Sequence, residues 1–172
     1  MADVMDDESP AGQRERLLEL IYNTPHLIWQ LLTKRPQRYA KYLPLFGCPQ
    51  NIWLGISAED QENFNLRWPH LYRAARAREL ITFISYEPAL GPLSIWNTQP
   101  LPDWIICGGE SGANRRTMNL EWAERIQAEC KGRNVAFWMK QLSAHTPAKG
   151  AASIPAYLQS HQFPILQNEG VA

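Results

Sequence analysis

The stretch Asp103-Trp-Ile-Ile-Cys-Gly-Gly-Glu-Ser-Gly-Ala-Asn-Arg-Arg-Thr117 decides the fold. It opens with four residues suited to a buried strand, Trp104 to Cys107. It then runs into Gly108-Gly109-Glu110-Ser111-Gly112 and turns basic at Arg115 and Arg116. A helical pattern follows from Asn119. A short apolar run, a polar glycine-bearing loop and then a helix make one β-loop-α unit. Four other stretches repeat this grammar.

The chain of 172 residues has room for one domain with a core. Its apolar share of 45% is ordinary for a globular protein. Zero formal net charge leaves no global electrostatic footprint for nucleic acid or membrane. The three cysteines, Cys48, Cys107 and Cys130, are widely spaced and odd in number, which argues against a disulfide framework and for a reducing compartment. No apolar run is long enough to span a bilayer, and the acidic start does not resemble a signal peptide. A cytoplasmic location is expected.

In chain order, Ser9-Pro10 reads as the cap and first-turn proline of a helix from Ala11 to Asn23, stopped by Thr24-Pro25. Strands are expected over His26–Leu32, Asn51–Ile56, Leu80–Ile84, Trp104–Cys107 and Val135–Met139. Helices are expected over Pro36–Leu43, Gln61–Ala77 with a break near Pro69, and Leu120–Lys131 with Gly132 as its stop. Residues 1–142 thus form five βα units. Residues 143–172 read as an irregular tail with at most a short helix over Ile154–Leu158.

This alternation specifies an α/β protein with a parallel sheet. Two architectures stay open: an open sheet of about five βα units, or part of a TIM-like barrel. In either, the C-terminal strand ends share one edge, where ligands bind. All five ends are polar here: Thr33-Lys34-Arg35, Ser57 with Glu59 and Asp60, Ser85 with Glu87, Glu110-Ser111, and Lys140-Gln141.

In this order and spacing, Leu31-Leu-Thr-Lys-Arg-Pro36, Trp53-Leu-Gly-Ile-Ser57, Ser85-Tyr-Glu-Pro88 with Leu90-Gly-Pro-Leu93, Gly108-Gly-Glu-Ser-Gly112 and Phe137-Trp-Met-Lys-Gln141 resemble one family's successive motifs. It is the phage gp thirty-seven/gp sixty-eight family, a domain of unknown function with a radical-SAM-like barrel. His161-Gln-Phe-Pro164 resembles its closing segment. The resemblance implies S-adenosylmethionine and an iron–sulfur cluster for a complete member. The family's N-terminal three-cysteine segment has no counterpart here, so no cofactor is expected in this chain. The expectation is a C-terminal portion lacking about three βα units.

Glu59, Glu87 and Glu110, with Lys140, are the candidates for acid–base work. The alternative is a structural ion-pair network with Lys34, Arg35 or Lys140. Thr33, Lys34, Arg35, Arg115 and Arg116 have the chemistry to clamp phosphates. Gly108 and Gly109 would let a ligand approach the backbone, with Ser57, Ser85, Ser111 and Gln141 as further binding groups. No metal set is expected, because the histidines do not sit beside these carboxylates. The substrate expectation is a nucleotide or nucleic acid. The alternatives are a non-enzymatic phage accessory protein that binds a protein covering the absent strands, and an inactive fragment. Trp53, Trp104, Trp138 and Trp29 are assigned to the core, and Trp96 to stacking.

Overall fold

The computed structural model describes residues 3–164. It has an α/β fold with five strands in one sheet, in chain order. These are β1 (Trp29–Thr33), β2 (Ile52–Ser57), β3 (Ile81–Tyr86), β4 (Trp104–Gly108) and β5 (Ala136–Gln141). β1 pairs with β2, β2 with β3 and β4 with β5, each parallel. The helices are α1 (Gln13–Asn23), α2 (Tyr39–Tyr42), α3 (Gln61–Arg76), α4 (Leu120–Arg133) and α5 (Pro147–Ala152). Short 3-10 turns lie at Pro36–Arg38 and Ala156–Leu158. The chain divides into two compact units, Met1–Ala58 with Glu62–Ser85, and Glu59–Gln61 with Tyr86–Ala172.

In the first unit, β2 is buried along its whole length. This is the continuous burial expected of an interior parallel strand. Gly55 is required there, since an added Cβ would lie 2.2 Å from the Phe83 ring. The Tyr39 hydroxyl donates to the carbonyls of Leu31 and Gly55 and ties α2 to β1 and β2. Arg78, also buried, donates to the carbonyls of Leu43, Pro44 and Ala74 and pins the loop before β2.

The second unit packs α4 and α5 on β4 and β5. Along β5, Phe137, Met139 and Gln141 are buried while Ala136, Trp138 and Lys140 are more open. That alternation is the period of two expected of a strand with unlike faces. Glu129 of α4 accepts from the Ser94 hydroxyl, the Ile95 amide and Arg125, which fastens the 89–102 connection.

Several boundaries differ from the sequence reading. α1 begins at Gln13 behind Gly12, whose φ of 80° is left-handed, and no side chain caps it. Ser9 and Pro10 are instead spent on turns, with the Ser9 amide bonded to Asp6 and the Gln13 amide to Pro10. β1 begins at Trp29, because the Asn51 side chain holds Thr24 and Leu27 in a turn. Pro69 lies inside α3 without ending it. α4 runs through Gly132 to Arg133, and Asn134, at φ 56°, takes the left-handed position after it. β5 extends to Gln141, so Lys140 and Gln141 are strand residues. The segment read as loop-like beyond residue 142 carries α5.

Candidate functional site

In the second unit the C-terminal ends of β4 and β5 continue as a hydrogen-bonded ladder beyond the regular strands. The Gly109 amide donates to the Gln141 carbonyl at 2.9 Å. The Ala144 amide donates to Glu110 and the Gly112 amide to Ala144. A register shift between Cys107 and Gly108 re-aims the residues beyond it.

Two ionic pairs stand on this edge. Glu87 follows β3 and accepts from Lys140 of β5 at 2.8 Å. Its carboxylate passes over β4 at Gly108, where an added Cβ would lie 3.0 Å from Glu87 Oε2. Gly108 therefore opens the path by which a carboxylate from one strand end reaches a cation two strands away. The Glu87 side chain is 16% exposed and that of Lys140 54%. An ammonium has three donors, and one is engaged by Glu87.

The second pair is a fork. Arg116 Nε and Nη2 donate to Glu110 Oε2 and Oε1 at 2.8 and 2.9 Å, and the Arg116 amide adds a third bond at 2.8 Å. Bidentate pairing of this kind fixes geometry as well as charge. The side-chain hydrogen bonds from Arg116, followed by its amide, hold the Glu110 carboxyl down at about 2. Glu110 in turn raises Arg116, with a smaller contribution from Glu59. Glu59 itself is buried. Arg115 donates to the Gly112 carbonyl, and Ser111 is exposed.

The two glycines nominated as ligand approaches have neighbours within the chain. An added Cβ at Gly109 would meet the Ser143 amide at 2.3 Å. Gln141 is buried, and its side chain donates to the Gly109 carbonyl at 2.9 Å. These residues build the edge on which the two ionic pairs stand.

In the first unit, Thr33, Lys34 and Arg35 end β1 and meet the acidic segment 3–7. Thr33 Oγ1 donates to Asp3 Oδ2 at 2.7 Å and the Lys34 amide donates to the same oxygen at 3.2 Å. Arg35 Nη1 lies 3.5 Å from Asp3 and 2.9 Å from Asp6. Ser57 and Ser85 sit side by side in register and are both buried.

A cleft of about 440 Å³ opens at the other end of β4 and β5, lined by residues such as Leu101, Asp103, Arg133 and Phe163. It contains none of the nominated residues. Trp96 is 62% exposed, and the Arg133 guanidinium lies 6.0 Å from its ring. Sequence reasoning missed an aromatic group in which Trp138 touches the rings of Trp104, His161 and Phe163. Trp138 was assigned to the core but is only half-buried. A longer β5 would have revealed it, because Trp138 and Lys140 then alternate onto the same face.

Cys48 lies in the loop before β2, Cys107 on β4 and Cys130 on α4, and all three are buried and free. Burial pushes the Cys107 thiol up, and Cys130 to about 12. Among the described residues no group of three or more His, Cys, Asp or Glu side chains is placed to hold a metal ion. These cysteines do not fit an iron–sulfur cluster, which needs convergent thiolates. No described helix is long and apolar enough to cross a membrane.

One family model matches residues 1–164, nearly the whole chain. The chain belongs to the DUF5131 family of proteins of unknown function. No curated protein and no solved structure matches it. The DUF5131 chain is therefore characterised by its own geometry: a parallel sheet whose second unit carries Glu87–Lys140 and Glu110–Arg116 at the strand ends.

Proposed function

We propose that this DUF5131 chain is a radical-SAM-like α/β domain of phage or prophage origin, cytoplasmic, that binds a nucleotide or nucleic acid at the strand-end edge of its second unit. The observation that carries the reading is the Glu87–Lys140 pair spanning Gly108. A carboxylate led across a neighbouring strand positions the ammonium while leaving it 54% exposed, ready for an anionic oxygen. Arg116 is oriented in the same manner by Glu110. Oriented cations of this type recognise phosphate.

The test is calorimetric titration with ATP and with a 12-nucleotide single-stranded DNA. Wild type should bind at least one of them, and Lys140→Met and Arg116→Met should each weaken binding at least tenfold without a change in melting temperature. Absence of binding to both probes, or affinity that is lost only along with stability, refutes the reading.

A second reading is a protein-binding role, favoured by apolar surface in the first unit. Phe46 is 87% exposed beside Leu45, and Tyr22, itself half exposed, donates to the Gly47 carbonyl next to them. Exposed apolar groups gathered in this way mark interaction surfaces. A Phe46→Ser variant should reduce binding of a hydrophobic dye without altering the ATP titration. An unchanged dye signal would remove this reading.

A further inference from the structure

We infer that Thr33, Lys34, Arg35 and Arg38 form an anion site that the chain fills with its own aspartates, and that a di- or triphosphate group displaces them. This inference concerns the first unit and does not depend on the second-unit site proposed above.

The donors converge as they would on a phosphate. Asp3 Oδ2 receives the Thr33 hydroxyl at 2.7 Å and the Lys34 amide at 3.2 Å, with Arg35 Nη1 at 3.5 Å. Two unlike hydrogen-bond donors and a guanidinium gathered on a single oxygen are more than a salt bridge needs. Thr33 is 2% exposed, and its Oγ1 accepts the Arg35 amide at 2.9 Å. That acceptance leaves the hydroxyl hydrogen directed at Asp3. The hydroxyl is thus a buried, pre-aimed donor, and a main-chain amide beside it is a recurrent element of phosphate sites.

Next to this oxygen, Arg35 also meets Asp6 Oδ2 at 2.9 Å. Arg38 pairs with Asp7 and donates to the Met5 carbonyl at 2.7 Å. Arg14 donates to the carbonyls of Val4, at 3.0 Å, and Asp6. Arg35 thus stands between two carboxylates, Asp3 and Asp6, and one guanidinium placed in this way can serve two linked anionic groups. The contacts remain open to exchange, because the Asp3, Asp6 and Arg35 side chains are 21%, 31% and 38% exposed. Ion pairs of that exposure are individually weak. A pyrophosphate carries more charge than either carboxylate and presents several oxygens to the same donors.

Two amides report on the exchange. The Met5 amide donates to Asp3 Oδ1 at 2.9 Å, whereas the Lys34 amide donates to Asp3 Oδ2. Hydrogen exchange of the full chain is measured with and without millimolar pyrophosphate, with sodium chloride matching the ionic strength to remove general screening. Displacement should accelerate exchange at Met5 at least fivefold and leave Lys34 protected, because phosphate takes over its bond. No change at Met5, or acceleration at both amides, overturns the inference. In parallel, an Asp3→Asn, Asp6→Asn double variant should bind pyrophosphate at least tenfold more tightly than wild type, and Arg35→Met should lose binding. Unchanged affinity in the double variant also overturns the inference. Should that variant fail to fold, the exchange measurement on wild type decides alone.

Discussion

Gly108 and Gly109 are adjacent in sequence, yet alanine should act on them in opposite ways. At Gly109 a Cβ would lie 2.3 Å from the Ser143 amide nitrogen, 2.6 Å from Ser143 Oγ and 2.8 Å from the Leu142 carbonyl carbon. Carbon atoms in contact prefer about 3.5–4.0 Å, so the 142–143 backbone would have to retreat by an ångström or more. It is held on both sides, by the Leu142 amide to Gly150 and by the Met118 amide to Ser143 Oγ. Overpacking of this kind costs about 1–3 kcal/mol, and one strained or broken hydrogen bond adds about 1 kcal/mol. A total of about 3 kcal/mol corresponds to a fall of about 6–12 °C in melting temperature for a chain of this size. At Gly108 the obstacle is the Glu87 carboxylate at 3.0 Å, a side-chain end able to swing aside. Gly108→Ala should cost roughly 1 kcal/mol or less, but should move Glu87 away from Lys140. Thermal melts followed by circular dichroism, together with the ATP titration, separate the two effects. Gly109→Ala within about 2 °C of wild type, corresponding to less than about 1 kcal/mol, would refute the packing argument. So would a Gly108→Ala variant that loses as much stability as Gly109→Ala.

Gly132 is exposed inside α4 with nothing within 4 Å of an added Cβ, so Gly132→Ala should stabilise the protein by about 0.5–1 kcal/mol, measured by urea unfolding. Glu110 has a depressed pKa, so its contribution to stability is fully present above the ordinary carboxylate range and is lost as pH falls through about 2. In a carboxyl titration by NMR, Arg116→Met should return its midpoint to the ordinary range, and an unmoved midpoint would contradict the fork. Cys107 and Cys130 are buried with raised pKa values and should resist thiol reagents in the native state, reacting only as denaturant opens the chain. Rapid stoichiometric labelling of either residue without denaturant would contradict that packing.

The parallel α/β architecture was legible because apolar runs such as Ile52–Ile56 and Trp104–Cys107 alternate with helical periodicity, and burial on both faces leaves that trace in sequence. Element ends were less legible for identifiable reasons. The Ser9-Pro10 cap reading lost to turns that depend on Asp6, and the Gly132 stop lost to Asn134, which tolerates the left-handed region. Local propensity was right about which residues punctuate the chain and wrong about which one did so. At the strand ends, Glu110 and Lys140 were nominated from position alone. Their pairing was only half visible: Glu87 with Lys140 was among the alternatives, whereas Glu110 with Arg116 was not. Asp3 and Asp6 drew no notice as partners of Arg35, because a contact between residues some thirty positions apart leaves no periodic signal.

The outer edge of β5 has a further consequence. Residues 160–162 run antiparallel along it, with the Met139 amide bonded to the Ser160 carbonyl at 2.8 Å and the Gln162 amide to the Phe137 carbonyl at 3.0 Å. The Gln162 side chain takes the Phe137 amide as well. The chain's last described segment thus works as a lid along the seam of the sheet and consumes the groups through which unrelated strands associate. This short reversal is an internal guard against aggregation at that edge, written in three residues that a truncation at position 159 would erase.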